Sequence, residues 1–239
     1  MRIFATLAAV AAGLCLSACS TPNPNALANN DPYEATNREI FDLNLKIDSW
    51  TLRRAAENYN DMMPDPVRNS VHNTLTNLNL PVTFVNDVLQ GEGKRAGQTV
   101  SRFTVNSTLG VAGLFDVASG MGIPDHTEDF GQTLAVWGAG EGPYLVLPLL
   151  GPAPPRDAAG RVVDFFFDPS IYIRIKRHVL WAIGRNYLMM LDLRARNMET
   201  LDDIERNSLD YYAATRNLYR QYRGSEIRNG EPGAPPSEN

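Results

Sequence analysis

Apolar residues along the chain recur at helical spacing within short segments, and prolines stand at the start of many of those segments. After Pro66 the spacings are four, four and three, between Val67, Val71, Leu75 and Leu78. This spacing places the four side chains on one face of a helix. Segments in which apolar and polar residues alternate between turns, as in half-buried strands, are missing. The pattern therefore predicts an all-α protein made of many short amphipathic helices.

Prolines and capping residues predict where the helices begin and end. Asp31, Pro32 and Glu34 form a helix start in which Asp31 is the N-cap. Pro81 is expected to end one helix and begin the next, and Gly91 to stop that second helix. The predicted helices cover about residues 32–46, 50–60, 66–80, 81–90, 156–166, 169–191 and 196–206. A final helix from Ser208 has one face formed by Tyr211, Thr215, Leu218 and Tyr222.

The N-terminus has the pattern of a secretory signal peptide, with Arg2, an apolar run over residues 3–16 and small residues before Cys19. The tetrapeptide Leu16-Ser17-Ala18-Cys19 matches the lipobox of bacterial lipoproteins. We expect residues 1–18 to be removed and Cys19 to be acylated, which anchors the chain to a membrane. Ser20 stands where an aspartate retains enterobacterial lipoproteins in the inner membrane, so the outer membrane is favoured.

The rest of the chain divides into a tether, one domain and a tail. Residues 19–30 are rich in Pro, Asn and Ala, and residues 224–239 in Gly, Pro, Ser and Glu, so neither segment is expected to fold alone. Residues 31–223 contain no linker and are predicted to form a single helical domain. No charge-free run of about 18 residues follows Cys19, so no transmembrane helix is predicted.

Composition excludes several classes of function. The net charge of −5 is unfavourable for binding nucleic acid. Only Cys15 and Cys19 are present, and His72, His126 and His178 lie far apart, so no disulfide, metal site or cofactor is predicted. The hydrophobic share of 44% and the mean hydropathy of −0.26 are ordinary for a soluble protein.

The densest group of titratable residues surrounds His126, over residues 125–129. A catalytic histidine needs a nucleophile or a metal that can be named, and the Gly-X-Ser-X-Gly motif of hydrolases is missing. The favoured interpretation is a polar turn or helix cap. A lipid hydrolase that uses the Asp125–Asp129 cluster stays open as an alternative, as does a passive structural lipoprotein bound to porins.

Eight sequence motifs follow one another in a fixed order between Asp31 and about Arg223. They are DPYEATNR with FDLN behind it (31–44), PDPVRN (64–69), NLNLP (77–81), NDVLQG (86–91), RFTVNSTLG (102–110), GLFDVA (113–118), EDFGQTL (128–134) and GEGPYLVLP (140–148). In this order, and behind a lipobox, they resemble the MlaA (also called VacJ) family of outer-membrane lipoproteins.

The resemblance implies a fold and a function. The fold is a ring-like helical domain with a central amphipathic channel, lying in the inner leaflet of the outer membrane on its periplasmic side. The function is to remove phospholipids misplaced in the outer leaflet and pass them to a soluble, MlaC-like periplasmic carrier, without covalent chemistry. Family members are also associated with trimeric porins.

The resemblance also implies positions for individual residues. The N-terminal motif places Leu43 and Asn44 near the rim of the pore, where Leu43 replaces a frequent aromatic residue. Residues 138–152 correspond to a mobile hairpin beside the channel. The candidate residues of this hairpin are Gly138, Gly140, Gly142 and Pro143. The glycines would allow it to move, because glycine adopts backbone conformations that other residues avoid.

Overall fold

Helices make up most of the protein in the computed structural model, which describes residues 24–172 and 178–231. The described α-helices are α1 Pro24–Ala28, α2 Glu34–Trp50, α3 Leu52–Met62, α4 Asp65–Gln90, α5 Gly93–Thr108, α6 Val117–Gly120, α7 Phe130–Val136, α8 Pro155–Phe167, α9 His178–Arg196, α10 Met198–Asn207 and α11 Tyr211–Ile227. Two short strands, β1 Val146–Leu147 and β2 Gly151–Pro152, pair antiparallel. The prediction of an all-α fold is confirmed apart from this hairpin.

Several predicted segments lie partly or wholly outside the described residues. They are the signal peptide, Cys19 and the start of the tether, the end of the tail, and residues 173–177 within the helix predicted over 169–191. That helix is described as a 3-10 turn, Pro169–Ile171, followed by α9. Within the described part, α1 lies in the predicted tether, and α11 continues four residues beyond Arg223.

The predicted break at Pro81 is wrong, because α4 continues through this residue for 26 residues in all and ends at Gly91 as expected. A proline inside a helix removes one hydrogen bond and costs about 3 kcal/mol. Here both halves of α4 pack on neighbouring helices, chiefly on α5. Leu80, Val82 and Thr83 on either side of the proline are buried. Tertiary packing therefore outweighs the local preference.

The predicted N-cap at Asp31 is also wrong, since α2 begins at Glu34 and Asp31 makes different contacts. Its fully buried carboxylate accepts hydrogen bonds from Asn37 Nδ2 (2.8 Å), Tyr212 Oη (2.5 Å) and Arg216 Nη1 (2.7 Å). A buried carboxylate requires such partners. Asp31 therefore joins the N-terminal segment to α11.

The buried face of α11 is polar and aromatic. Tyr212, Arg216, Tyr219 and Arg223 follow one another at spacings of four, three and four, which places them on one face. Arg223 forms a bidentate ion pair with Asp129 (2.6 Å for both bonds) and reaches Asp157 at 3.2 Å. On the face predicted from the apolar pattern, Leu218 and Tyr222 are exposed. The helix thus buries its charged face.

Helices α7 and α8 cross at a pair of glycines. A Cβ atom on Gly160 would lie 2.3 Å from the backbone nitrogen of Gly131, which is closer than side-chain carbons approach other atoms. The contact allows Asp164 of α8 to accept hydrogen bonds from the first amide of α7, at Phe130 (3.0 Å), and from Asn86 of α4 (2.9 Å). The glycine pair therefore brings three helices together.

The distribution of polarity is inverted relative to most soluble domains. Among the described residues, more polar and charged side chains than apolar ones are buried, and many large apolar side chains are exposed. On α9 the exposed apolar residues recur at helical spacing: Leu180, Ile183, Tyr187, Met190 and Leu193. Within residues 24–172 and 178–231, no helix has the length and apolar character needed to cross a bilayer.

We expect Arg216→Met to destabilise the fold strongly. The substitution leaves the Asp31 carboxylate buried without its charged partner, which typically costs about 3–5 kcal/mol. Urea unfolding of the purified protein followed by circular dichroism measures the effect. The control is Arg206→Met, because the Arg206–Asp203 pair is exposed and contributes at most about 1 kcal/mol. Equal stability of the two variants would contradict the role of Asp31.

Asp164 gives the stability a pH dependence. Burial raises the pKa of its carboxyl to about 6, although Asn86 and Phe130 donate hydrogen bonds that lower it. An unfolded aspartate has a pKa of about 3.9, so the folded state binds this proton more tightly. The stabilisation is fully present below about pH 4 and is lost as the pH rises through about 6. We expect Asp164→Asn to flatten the pH dependence of the unfolding midpoint between about pH 4 and 7.

The control for this prediction is Asp203→Asn, which removes an exposed carboxylate. Thermal unfolding at a series of pH values, with all variants at the same ionic strength, measures the slope. An unchanged slope in Asp164→Asn would show that another group causes the pH dependence.

Candidate functional site

Helix α4 presents opposite characters on its two faces. Val67, Val71, Leu75 and Leu78, the face predicted from the sequence, line one side. The opposite side of the helix, about half a turn away, is lined by polar side chains: Asp65, Asn69, His72, Asn73 and Thr76. Polar cavities lie along one face and an apolar cavity along the other, so α4 forms a wall between an apolar and a polar space.

The larger polar space, here called the arginine cavity, has a volume of about 200 Å³. It lies between α3, α4 and α9, and its lining residues are Tyr59, Asn60, Asp65, Arg68, Asn69, Asp192, Ala195 and Arg196. Arg196 Nη2 donates to the Arg68 backbone oxygen and to Asn69 Oδ1, both at 3.1 Å. The cavity thus holds two guanidinium groups together with two carboxylates.

A contact between a histidine and an aspartate joins this cavity to a second polar cavity of about 50 Å³. His72 Nδ1 lies 2.7 Å from Asp192 Oδ2, and Arg196 Nε lies 3.1 Å from the same oxygen. His72 lines the second cavity, whereas Asp192 and Arg196 line the arginine cavity. Polar groups therefore continue without a break along the polar face of α4.

Arg102 of α5 stabilises the wall of the second cavity. Its buried guanidinium donates to both carboxylate oxygens of Asp116 (3.0 and 2.9 Å) and to the backbone oxygen of Ile123 (2.6 Å). Burial raises the pKa of Asp116, but hydrogen bonds from Ser119, Asn106 and Arg102 outweigh it and bring the pKa to about 2. Asp116 therefore stays ionised at physiological pH.

The apolar face of α4 borders a cavity of about 440 Å³ against α9. From α9 it is lined by Leu180, Trp181, Gly184, Arg185 and Leu188. Arg185 bonds to the carboxylate of Asp168, so its charge is neutralised. The cavity is large enough for hydrocarbon chains and has almost no polar group to offer them.

The hairpin is held to α2 by two asparagine side chains. Asn37 donates to the Tyr144 oxygen (3.0 Å) and accepts from the Val146 amide (2.9 Å). Asn44, seven residues later, donates to the Leu147 oxygen (3.0 Å) and accepts from the Leu149 amide (2.7 Å). Each carboxamide thus replaces the strand partner that β1 lacks on this side.

The predicted residues Gly138, Gly140, Gly142 and Pro143 lie at the start of the hairpin segment, and Asn44 of α2 bonds to its tip. Asn44 contacts the hairpin directly, whereas Leu43 beside it is exposed. Gly138 and Gly142 have positive φ angles of 93° and 76°, a conformation that favours glycine, and a Cβ on Gly142 would also press on the Pro155 ring. Gly140 has no positive φ angle, and a Cβ on it would meet no other atom within 4 Å.

The second apolar cavity, of about 500 Å³, lies between the hairpin and α8. Its lining residues are Leu147, Leu150, Ala158, Arg161, Val162, Phe165 and Phe166. Arg161 donates to the backbone oxygens of Leu150 (3.3 Å) and Pro152 (3.0 Å). The hairpin therefore has a polar contact surface on the side of α2 and an apolar space on the side of α8.

The contacts of His126 do not have the geometry of a catalytic triad. His126 Nε2 contacts both Asp87 (3.0 and 3.2 Å) and Thr99 Oγ1 (3.2 Å), and the Thr99 hydroxyl donates to Asp87 at 2.6 Å. In a catalytic triad the nucleophile and the carboxylate contact opposite ring nitrogens. Asp129 is the N-cap of α7 and accepts from the Gln132 amide at 2.9 Å.

Sequence reasoning missed the arginine cavity and Asn37. Asn37 belongs to the motif DPYEATNR, and Arg68, which lines the cavity, belongs to the motif PDPVRN. The spacing of Asp65, Asn69, His72 and Thr76 marks a polar face of α4. The partners Asp192 and Arg196 lie more than 100 residues away in the chain, so no local pattern pairs them with α4.

Comparisons with known proteins agree with each other. The family model described as MlaA lipoprotein matches residues 29–226. An uncharacterized protein of Rickettsia bellii is 35% identical over 199 residues, which are 83% of this chain and 77% of that protein. The intermembrane phospholipid transport system lipoprotein MlaA of Escherichia coli K12 is 33% identical over 232 residues, which are 94% of this chain and 89% of that protein.

A solved structure is similar in fold. It comes from work on the structural basis for maintenance of bacterial outer membrane lipid asymmetry. The TM-score is 0.73 at 32% sequence identity, and the match covers 82% of this chain and 98% of the other chain.

We expect Asn44→Ala to release the tip of the hairpin without unfolding α2. Alanine favours the helix more than asparagine does, but it cannot bond to Leu147 and Leu149. Hydrogen–deuterium exchange should become faster at the Leu149 amide and its neighbours. The control is Asn197→Ala, because the Asn197 side chain, among the described residues, bonds only to the Leu193 oxygen in the last turn of the preceding helix, α9. Unchanged exchange at Leu149 in Asn44→Ala would contradict the role of the Asn44 side chain in holding the hairpin tip, here called the Asn44 clamp.

Proposed function

The chain belongs to the MlaA lipoprotein family, and on this basis we propose that it removes mislocalised phospholipids from the outer leaflet and so maintains outer-membrane lipid asymmetry. The observation that carries the proposal is the wall formed by α4. A phospholipid has a charged headgroup and hydrocarbon chains, and α4 separates a polar space from an apolar one. Moving a phospholipid requires a path that is polar for the headgroup and apolar for the hydrocarbon chains.

The exposed apolar surface supports a position within the inner leaflet of the outer membrane. The five apolar side chains of the stripe on α9, from Leu180 to Leu193, are each at least 43% exposed. Burying one such side chain fully contributes about 1.5–3 kcal/mol, so the stripe alone favours a lipid environment. Helices that lie in a leaflet have this amphipathic character.

The inner polar cavities support the proposal of a central channel. Headgroups would follow the arginine cavity and the second polar cavity, while the acyl chains stay in contact with apolar surface. The ion pair between the buried Arg102 and Asp116 stabilises the wall of the second polar cavity. A charged headgroup then exchanges water for polar side chains, which lowers the cost of its transfer.

The hairpin is the proposed moving element beside the channel. Asn37 and Asn44 bond it to α2, and Tyr144 and Val146 also pack on Phe41 of α2. Its apolar side faces an open cavity against α8. Gly138 and Gly142 adopt positive φ at the start of the segment, where backbone rotation is least restricted. Release of the Asn44 clamp would allow the tip to move.

The anchor and the partners follow from the family. We propose that acylated Cys19 tethers the chain to the periplasmic side of the outer membrane, next to a trimeric porin, and that an MlaC-like carrier receives the lipid. The protein is proposed to act without covalent chemistry. Asp87 and Thr99 both contact the same ring nitrogen of His126, Nε2, which supports this view over the hydrolase alternative.

We expect deletion of the gene to increase phospholipid in the outer leaflet, and the wild-type gene to reverse the increase. Labelling of surface amines on intact cells, followed by lipid extraction, measures this phospholipid. Cys19→Ala should fail to reverse it, because the protein is then not retained at the outer membrane. Normal outer-leaflet phospholipid after deletion would favour the passive structural role. Phospholipid hydrolysis by the purified protein that His126→Ala abolishes would favour the hydrolase.

We expect Ile183→Asp to weaken membrane binding of the Cys19→Ala protein by more than ten-fold. Removing one apolar side chain from a lipid interior and adding a charge costs at least about 1.4 kcal/mol, which is a factor of ten. Flotation with phospholipid vesicles measures the binding. The control is Leu209→Asp, because Leu209 is fully exposed but lies between Ser208 and Asp210. Equal flotation of the two variants would contradict insertion of α9.

A further inference from the structure

The arginine cavity contains two buried donors with no hydrogen-bond partner among the described residues. They are Tyr59 Oη and Arg68 Nε. The Tyr59 side chain is more than nine-tenths buried, with 8% of its surface exposed. Burying a donor without a partner costs about 1–3 kcal/mol, so both groups favour a ligand that supplies acceptor oxygens. A phosphodiester has such oxygens.

The carboxylates of the same cavity limit the charge of that ligand. Arg68 bonds to Asp65 and to Asn60, and Arg196 bonds to Asp192. The two cations are therefore matched by two anions, and the cavity has no excess of positive charge to attract an anion. Asp65 is mostly exposed, whereas Asp192 is almost fully buried. A carboxylate at the opening suits an ammonium group.

Resting on the proposed function, we propose that the arginine cavity binds the zwitterionic headgroup of a phosphoethanolamine-type phospholipid. Tyr59 and Arg68 donate to the phosphate, and Asp65 accepts from the ammonium group. The volume of about 200 Å³ corresponds to about seven water molecules, which suits a headgroup without its acyl chains. The chains remain outside, on apolar surface.

The test is a titration of the purified full-length protein in a non-ionic detergent with three soluble probes. The probes are glycerophosphoethanolamine, glycerophosphoglycerol and inorganic phosphate, and the broadening of their ³¹P signals measures binding. We expect glycerophosphoethanolamine to bind at least several-fold more tightly than the other two. Equal binding of inorganic phosphate, or no binding of any probe, would overturn the proposal.

The decisive variant is Tyr59→Phe, which removes only the unpartnered hydroxyl. Burial and the neighbouring Asp192 carboxylate raise the pKa of the Tyr59 hydroxyl, but no described residue lies in hydrogen-bond geometry with it. The variant therefore loses mainly the hydrogen bond to a charged phosphate, and binding of glycerophosphoethanolamine should weaken on the order of ten-fold. Tyr144→Phe is the matched control, because Tyr144 Oη is also buried without a partner but lies outside the cavity. Equal affinities of the two variants would overturn the assignment of Tyr59.

Asp65→Asn tests the ammonium contact separately. The asparagine oxygen can still accept a hydrogen bond from Arg68, but the negative charge at the opening is gone. We expect glycerophosphoethanolamine to lose its advantage over glycerophosphoglycerol. An unchanged preference would overturn the role of Asp65 in recognising the headgroup.

Failure of this site is distinguishable from failure of the proposed function. Removal of phospholipid from the outer leaflet is measured in cells for the wild-type protein and for Tyr59→Phe. If the wild-type protein removes the lipid and none of the probes binds, the headgroup site is wrong and the transport function stands. If the wild-type protein removes no lipid, the transport function is wrong whatever the probes show.

Discussion

Two arginines on the buried face of α11 hold together parts of the chain that are far apart in sequence. Arg216 bonds to Asp31 near the start of the domain, and Arg223 bonds to Asp129 before α7 and to Asp157 in α8. Burial raises the pKa of Asp129, yet the hydrogen bonds and charge of Arg223 outweigh it and hold the pKa below its usual value. Removing either partner would leave a buried charge uncompensated.

This polar interior explains why the apolar residues lie outside. The charged and aromatic face of α11 is buried, whereas apolar side chains of α4, α8 and α9 are exposed or border open cavities. In water such a surface would be unfavourable, and in a lipid leaflet it is stabilising. The exposed apolar side chains therefore fit the proposed membrane position, and the polar cavities lie on the opposite face of α4.

The hairpin and the arginine cavity depend on the same framework. Asn37 bonds to Asp31 as well as to the hairpin, so the ion pair of Arg216 also positions the first hairpin clamp. On the other side, α9 supplies Asp192 and Arg196 to the cavity while it packs on α3 through Leu191 and Ala195. The same framework of helices therefore positions both the hairpin and the polar cavity.

The sequence by itself determined the helical class, the apolar face of α4, the helix stop at Gly91 and the family. These depend on neighbouring residues, because helical spacing and glycine conformation are local properties. The tertiary structure decided that α4 passes through Pro81, that Asp31 bonds to Arg216 instead of capping α2, and that α11 buries its charged face. It also joined Arg68 to Arg196. Each of these results depends on contacts between residues distant in the chain, whose energies exceed local preferences and leave no periodic pattern.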